Sequence, residues 1–216
     1  MGTLKLWAVG IDEVREIFSA NPDVAERLRA AAAARFRTDL PRPSGLLGRL
    51  GPLLRPSHDP AAPRPGVPAA EDVDDLLAGR YIAPPRLPQA WNLLEFWIDT
   101  LSWGGGEWTL DAARLKDLDF DLARAQVPYR YGLSDLFKNA LGVSLSRCEG
   151  LAAGFVRAEH AAQMAEAWAV GAPELEPANQ PVALQIAEFL SHWPEWTALA
   201  GEHGRPEPDL VAIFRT

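Results

Sequence analysis

The chain has 216 residues, of which 48% are hydrophobic and eight are tryptophan, with a net charge of −8 and one cysteine, Cys148. This composition excludes a disordered chain, and the length suits a single α+β domain over residues 1–216. A lone cysteine excludes an intrachain disulfide, and neither a signal peptide nor an apolar run of membrane-spanning length is present, so we expect a cytoplasmic protein without a membrane partner.

The charge is unevenly spread along the chain. Between Arg27 and Gly66, eight arginines stand against Asp39 and Asp59, a local charge of +6, so the remainder carries −14. An acidic body repels phosphate at long range, which argues against nucleic acid as a partner. It is compatible with a basic protein partner, and equally with acidity that serves solubility alone.

The first predicted elements are a strand and two helices. Thr3–Val9 alternates in a pattern that is typical of a strand. Asp12 predicts a capped helix that runs to Phe18, and Asn21 with the following proline predicts a second helix that reaches Phe36.

Residues 41–70 are rich in proline and arginine and lack periodicity, which indicates a loop or an insertion. Two interpretations stay open. In the first, the segment is a solvated loop. In the second, it carries a basic arm for an anionic partner, which consists of Arg42, Arg49, Arg55 and Arg64.

The middle of the chain centres on a tryptophan-rich helix. After a short helix at Glu71–Leu77 and a short strand at Arg80–Ile82, the segment Trp91–Leu101 carries apolar side chains on almost every face. Such a helix is usually buried inside a domain. Gly104–Gly106 is predicted to end it, because glycine terminates helices, and Glu107–Leu110 to form a short strand.

The remaining predicted elements alternate between helices and strands. A helix or turn is predicted at Asp111–Lys116 and a helix at Ser134–Leu141. The end of a strand at Gly154–Arg157 leads into a helix at Ala158–Ala169. A helix then starts at Pro181, breaks at His192–Pro194 and ends at Gly201, and a strand follows at Asp209–Arg215. These elements predict helices packed on a small mixed sheet that holds the N- and C-terminal strands.

No motif predicts a catalytic residue, a metal site or a cofactor. The glycines at 104–106 follow a helix and precede Glu107, which is the wrong arrangement for a phosphate loop. Asp117, Asp119 and Asp121 are spaced like calcium ligands, but the positions that need glycine and glutamate hold leucine and proline. The histidines and Cys148 show neither a zinc-ligand spacing nor a known nucleophile motif.

The most site-like segment is Val127–Asp135, which reads V-P-Y-R-Y-G-L-S-D. Its tyrosines offer amphipathic contact area, and its arginine is a planar donor for carboxylate or phosphate. Two tryptophans that flank the glycines could line the same groove. The candidate binding residues are therefore Trp103, Trp108, Tyr129, Arg130, Tyr131 and Asp135; the alternative is a structural aromatic loop over the core.

The order of elements resembles the YfbM-like bacterial proteins of unknown function. The matching pieces are Leu4–Val9, Trp91–Leu101 and Phe155–Ala161, followed by Val182–Ala200 and Leu210–Phe214. The resemblance covers roughly half the chain; it implies an α+β fold without known catalysis, and it transfers no site residues.

Two functions of different classes follow. The leading one is a non-catalytic intracellular binding or regulatory module, which could neutralise another protein. The alternative is a small hydrolase in which Arg130 holds an anionic substrate. A cleft with a carboxyl group of raised pKa would favour the hydrolase, and a broad exposed aromatic patch would favour binding.

Overall fold

The computed structural model describes residues 2–36 and 67–216. The proposed basic arm and residues 41–66 of the Pro/Arg-rich segment lie outside the described residues. The chain groups into two compact units, one of Met1–Glu16, Ile98–Val143 and Arg147–Thr216, the other of Ile17–Trp97 and Ser144–Ser146. That the two fold together as one domain stays a prediction.

The first unit contains a four-stranded sheet. Its strands are β1 (Thr3–Val9), β2 (Gly104–Thr109), β3 (Leu151–Val156) and β4 (Asp209–Arg215), in the order β2-β1-β4-β3. The first and last strands of the chain are therefore the two central strands, and the α+β prediction is confirmed. All three pairings are antiparallel, although we expected a mixed sheet. A parallel pair would need a connection that carries the chain to the opposite end of the sheet, whereas β1–β2 and β3–β4 are each joined at one end, where Ala8 is opposite Gly104 and Val156 is opposite Leu210.

One face of the sheet carries the apolar core of this unit. The even-numbered residues of β1 and β4 belong to one buried cluster with residues of four helices. The helices are α5 (Ala112–Arg124), α6 (Ala158–Gly171), α7 (Gln180–Ser191) and α8 (Trp193–Glu202). The predicted break at His192 is confirmed, because it separates α7 from α8.

The three glycines lie inside β2 and not between a helix and a strand. An added Cβ at Gly104 would collide with the Trp196 ring, and one at Gly106 with the Trp108 ring. Glycine is thus required because indole rings lie flat against the strand on that face. The helix does end before the glycines, at Leu101, as predicted.

Three other local predictions need correction. Arg80–Ile82 forms no strand, since Tyr81 is 75% exposed and no neighbouring strand pairs with it within the described residues. Ser134–Leu141 is not an α-helix; short 3-10 turns occupy Tyr129–Tyr131 and Leu133–Phe137 instead. The helix predicted to end at 116 continues to Arg124, and Asp111 caps it by accepting from the Arg114 N–H at 2.8 Å.

The second unit contains α2 (Pro22–Phe36), α3 (Ala70–Leu77) and the first part of α4 (Leu87–Leu101). Trp97 on α4 is fully buried and donates its indole N–H to the carbonyl of Leu28 at 3.0 Å. Trp91 is 3% exposed and donates to the carbonyl of Ser146 at 3.0 Å. The prediction of a buried tryptophan-bearing helix is confirmed.

An ion-pair cluster links α3 to the turn that precedes α4. Arg86 hydrogen-bonds Asp72 at 2.6 Å and Asp75 at 3.0 Å, and Arg80 hydrogen-bonds Asp75 at 2.7 Å. Burial alone would raise the pKa of Asp75, but the hydrogen bonds and charges of the two arginines outweigh it and hold that pKa below its usual value. Burial would lower the pKa of Arg86, but the hydrogen bonds and charges of Asp72 and Asp75 outweigh it and raise that pKa.

Among the described helices, none is both long enough and apolar enough to cross a membrane.

Candidate binding site

The segment after α5 is anchored by one carboxylate. Asp119 on α5 accepts the N–H of Leu133 at 2.6 Å and the N–H of Ser134 at 2.9 Å. An added Cβ at Gly132 would lie 2.9 Å from Asp119 Oδ1, so glycine permits this close approach. The local sequence suits the turn because each carboxylate oxygen satisfies a backbone donor that would otherwise be half-buried and unpaired. Both carboxylate oxygens of Asp119 therefore take part in hydrogen bonds to the backbone.

A second set of contacts ties the same segment to α6. The buried indole N–H of Trp168 donates to the carbonyl of Tyr131 at 2.7 Å. His160 Nε2 lies 2.9 Å from the carbonyl of Arg130 and is the donor there, because a carbonyl oxygen only accepts. The Tyr131 hydroxyl donates to Gln163 Oε1 at 2.8 Å. The backbone of residues 130–134 is thus held from two helices.

These anchors leave Pro128, Tyr129 and Arg130 exposed; we call these three residues the tip. Tyr129 is 65% exposed, and the Nζ atom of Lys138 lies 5.0 Å from the centre of its ring. The Arg130 guanidinium lies 4.7 Å from the centre of the Tyr131 ring. Both aromatic–cation contacts restrict side chains that would otherwise be mobile, so the tip presents a defined surface.

Two predicted site residues, Tyr131 and Asp135, contact side chains in or beside the tip. Tyr131 is 5% exposed, and its ring packs edge-on against His160 at 5.0 Å. Asp135 forms an ion pair with Lys138, which places the lysine beside Tyr129. The Asp135 hydrogen bond raises the pKa of Lys138, so the cation over the tyrosine stays charged at neutral pH.

Trp103 and Trp108 lie just before and within edge strand β2, respectively. Trp108 lies on edge strand β2, is 8% exposed and packs edge-on against Phe189 at 5.6 Å. Trp103 just precedes β2, and the Cζ atom of Arg205 lies 4.3 Å from the centre of its ring. The residues that follow the tip pack instead against β3, the opposite edge of the sheet. That Trp103 and Trp108 line one groove with Tyr129 and Arg130 stays a prediction.

A buried carboxylate at the start of β4 has a different role. Asp209 accepts the N–H of Ile11 at 2.9 Å and that of Ala158 at 3.0 Å, and so caps α6 and α1 (Ile11–Glu16) together. Burial raises its pKa, and this outweighs the two backbone bonds and the charge of Arg157. We expected Asp12 to cap α1, but the helix begins at Ile11, two residues earlier than a cap at Asp12 would allow, and it takes its cap from Asp209 near the other end of the chain.

Sequence reasoning missed the residues that position the tip. Asp119, His160 and Trp168 act through contacts across 14 to 37 residues of sequence, which no local pattern reveals. The Asp135–Lys138 spacing is the one local signal, because residues three apart are neighbours on a helical turn. Within the described parts of the chain, no three His, Cys, Asp or Glu side chains are arranged to hold a metal ion.

Comparisons with known proteins give one match. A family model described as "Domain of unknown function (DUF7691)" matches residues 1–215. No curated protein matches the chain, and no solved structure matches it.

Proposed function

We propose that the chain, which belongs to the Domain of unknown function (DUF7691) family, is a non-catalytic binding module that holds another protein through the tip. The observation that supports this most is the contrast between a tightly anchored backbone at residues 130–134 and an exposed Tyr129 beside it. Tyrosine and arginine are enriched among the residues that dominate binding energy at protein interfaces. A backbone already fixed in place loses little entropy on binding.

The charge of the chain favours a partner with a basic surface. The net charge is −8, and electrostatic complementarity raises association rates and selects partners. Neutralisation of the partner, a cytoplasmic location and the relationship to the YfbM-like proteins are further parts of this proposal, and each stays a prediction.

The alternative, a hydrolase in which Arg130 holds the substrate, would need a carboxyl group of raised pKa that a substrate can reach, and the described residues do not supply one. Asp209 has a raised pKa, but both its oxygens accept helix N–H groups and its side chain is 6% exposed. It therefore serves as a helix cap and is not available to a substrate.

Affinity capture from a native extract, followed by calorimetry with the purified partner, tests the proposal. Tyr129→Ala should weaken binding at least tenfold, because truncation of a central aromatic contact costs about 2 kcal/mol or more. Tyr81→Ala is the matched control, since Tyr81 is also an exposed tyrosine, at 75%. Equal affinity of the wild type and Tyr129→Ala would contradict the proposal.

A further inference from the structure

The two edges of the sheet differ in what covers them. On β3, the outward N–H of Phe155 donates to the carbonyl of Asn139 at 3.1 Å, and the Asn139 amide donates to the carbonyl of Phe155 at 3.4 Å. That edge is therefore closed by the chain itself. Sheet edges that stay open tend to pair with another strand, which is why proteins usually cover or charge them.

The β2 edge is open among the described residues. Leu110 donates its N–H to the carbonyl of Gly2 at 3.0 Å, which fixes the ladder so that the even-numbered residues of β2 bond to β1. The N–H and C=O groups of Gly105, Glu107 and Thr109 consequently point away from the sheet. All three residues are exposed, and none of these backbone groups has a partner within residues 2–36 and 67–216.

The two faces beside this edge have different chemistry. On one face, the Trp196 and Trp108 rings cover Gly104 and Gly106; each tryptophan is 8% exposed, so the margin of the apolar core lies next to the strand there. On the other face, the Glu107 side chain is 63% exposed and its carboxylate lies 3.4 Å from Lys5 Nζ. An added Cβ at Gly105 would lie 3.0 Å from the Trp7 ring and 3.4 Å from the Asp99 carboxylate, which accepts the Trp7 indole N–H. An added strand would therefore place alternate side chains beside the margin of the apolar core and beside the Glu107 and Asp99 carboxylates.

We propose that the β2 edge binds an extended segment of another protein as a fifth strand, with apolar and basic side chains in alternation. Main-chain hydrogen bonds to residues 105, 107 and 109 would supply the pairing, and the two faces would supply specificity. A second copy of this chain fits less well. Each copy carries a net charge of −8, and pairing β2 with itself would bring two Glu107 carboxylates onto adjacent strands.

The test uses the full-length chain, labelled with ¹⁵N, and two capped peptides, Lys-Val-Lys-Val-Lys and Glu-Val-Glu-Val-Glu. In the free protein, the amides of 105, 107 and 109 should exchange rapidly with solvent, while those of Gly106 and Trp108 should be protected. The lysine peptide should shift and protect the three outward amides in a saturable way. The glutamate peptide should bind at least tenfold more weakly.

Thr109→Pro removes one outward N–H without breaking the ladder to β1, because proline is tolerated on an edge strand. It should weaken binding of the lysine peptide at least tenfold, while Thr109→Val, which keeps the N–H, should not. Slow exchange of the three amides in the free protein would overturn the proposal, as would equal binding of both peptides or unchanged binding by Thr109→Pro. Failure of the lysine peptide to bind, or a wild-type dimer that Thr109→Pro dissociates, would also overturn it. Tyr129→Ala should leave peptide binding unchanged, so this site and the tip are tested separately.

Discussion

Replacing Asp119 by alanine should loosen the tip and destabilise the fold. The carboxylate accepts two backbone N–H bonds at 2.6 and 2.9 Å. Bonds to a charged acceptor contribute about 1.5–3 kcal/mol each, and the half-exposed site favours the low end of that range. We therefore expect Asp119→Ala to lower the free energy of unfolding by about 3–4 kcal/mol.

Urea denaturation followed by tryptophan fluorescence measures this change, and hydrogen exchange at Leu133 and Ser134 locates it. Asp117→Ala is the matched control, because Asp117 is an exposed aspartate on the same helix and reports the change in helix propensity alone. The reasoning is refuted if the two variants differ by less than about 0.5 kcal/mol, or if the amides of Leu133 and Ser134 exchange no faster in Asp119→Ala.

Three further substitutions probe other parts of the fold. Asp209 has a raised pKa, so the folded state holds its proton more tightly than the unfolded state does. Relative to the Asp209→Asn variant, the wild type should therefore lose stability as the pH rises from about 4 through that pKa. Stability–pH curves that run parallel for the two proteins would count against this. Trp97→Phe should cost about 2–4 kcal/mol in urea unfolding, because it leaves a small cavity and removes the indole hydrogen bond to the Leu28 carbonyl; a cost below about 1 kcal/mol would show that the site relaxes. Gly106→Ala should lower the melting temperature, since its Cβ would collide with Trp108, and an unchanged melting temperature would mean that the ring can move away at little cost.

The buried helix and the central strands could be predicted because their signals are local. Trp91–Leu101 is apolar on nearly every face, and Thr3–Val9 alternates, so helical and strand periodicity suffice for both. The glycines at 104–106 misled the prediction, since glycine ordinarily ends elements. Their place inside β2 follows from the rings of Trp196 and Trp108, which lie on other parts of the chain or further along the strand.

The candidate site was only partly predictable for the same reason. The sequence singled out Tyr129 and Arg130 as candidates because tyrosine offers amphipathic contact area and arginine is a planar donor, and their role in binding stays a prediction. It also predicted a helix from Ser134, where the structure has 3-10 turns. Asp119 draws the backbone of Leu133 and Ser134 into bonds across 14 and 15 residues, and local propensity contains no information about such contacts.

Photo-crosslinking from position 129 tests the proposed function most directly. Tyr129 is replaced by a photoreactive phenylalanine analogue in the full chain, which is irradiated in native extract; the same analogue at Tyr81 is the control for general surface reactivity. We predict one dominant protein adduct from position 129, absent from position 81 and reduced when unlabelled wild-type chain competes. The same adducts from both positions, or none from position 129, would contradict a binding module that acts through the tip.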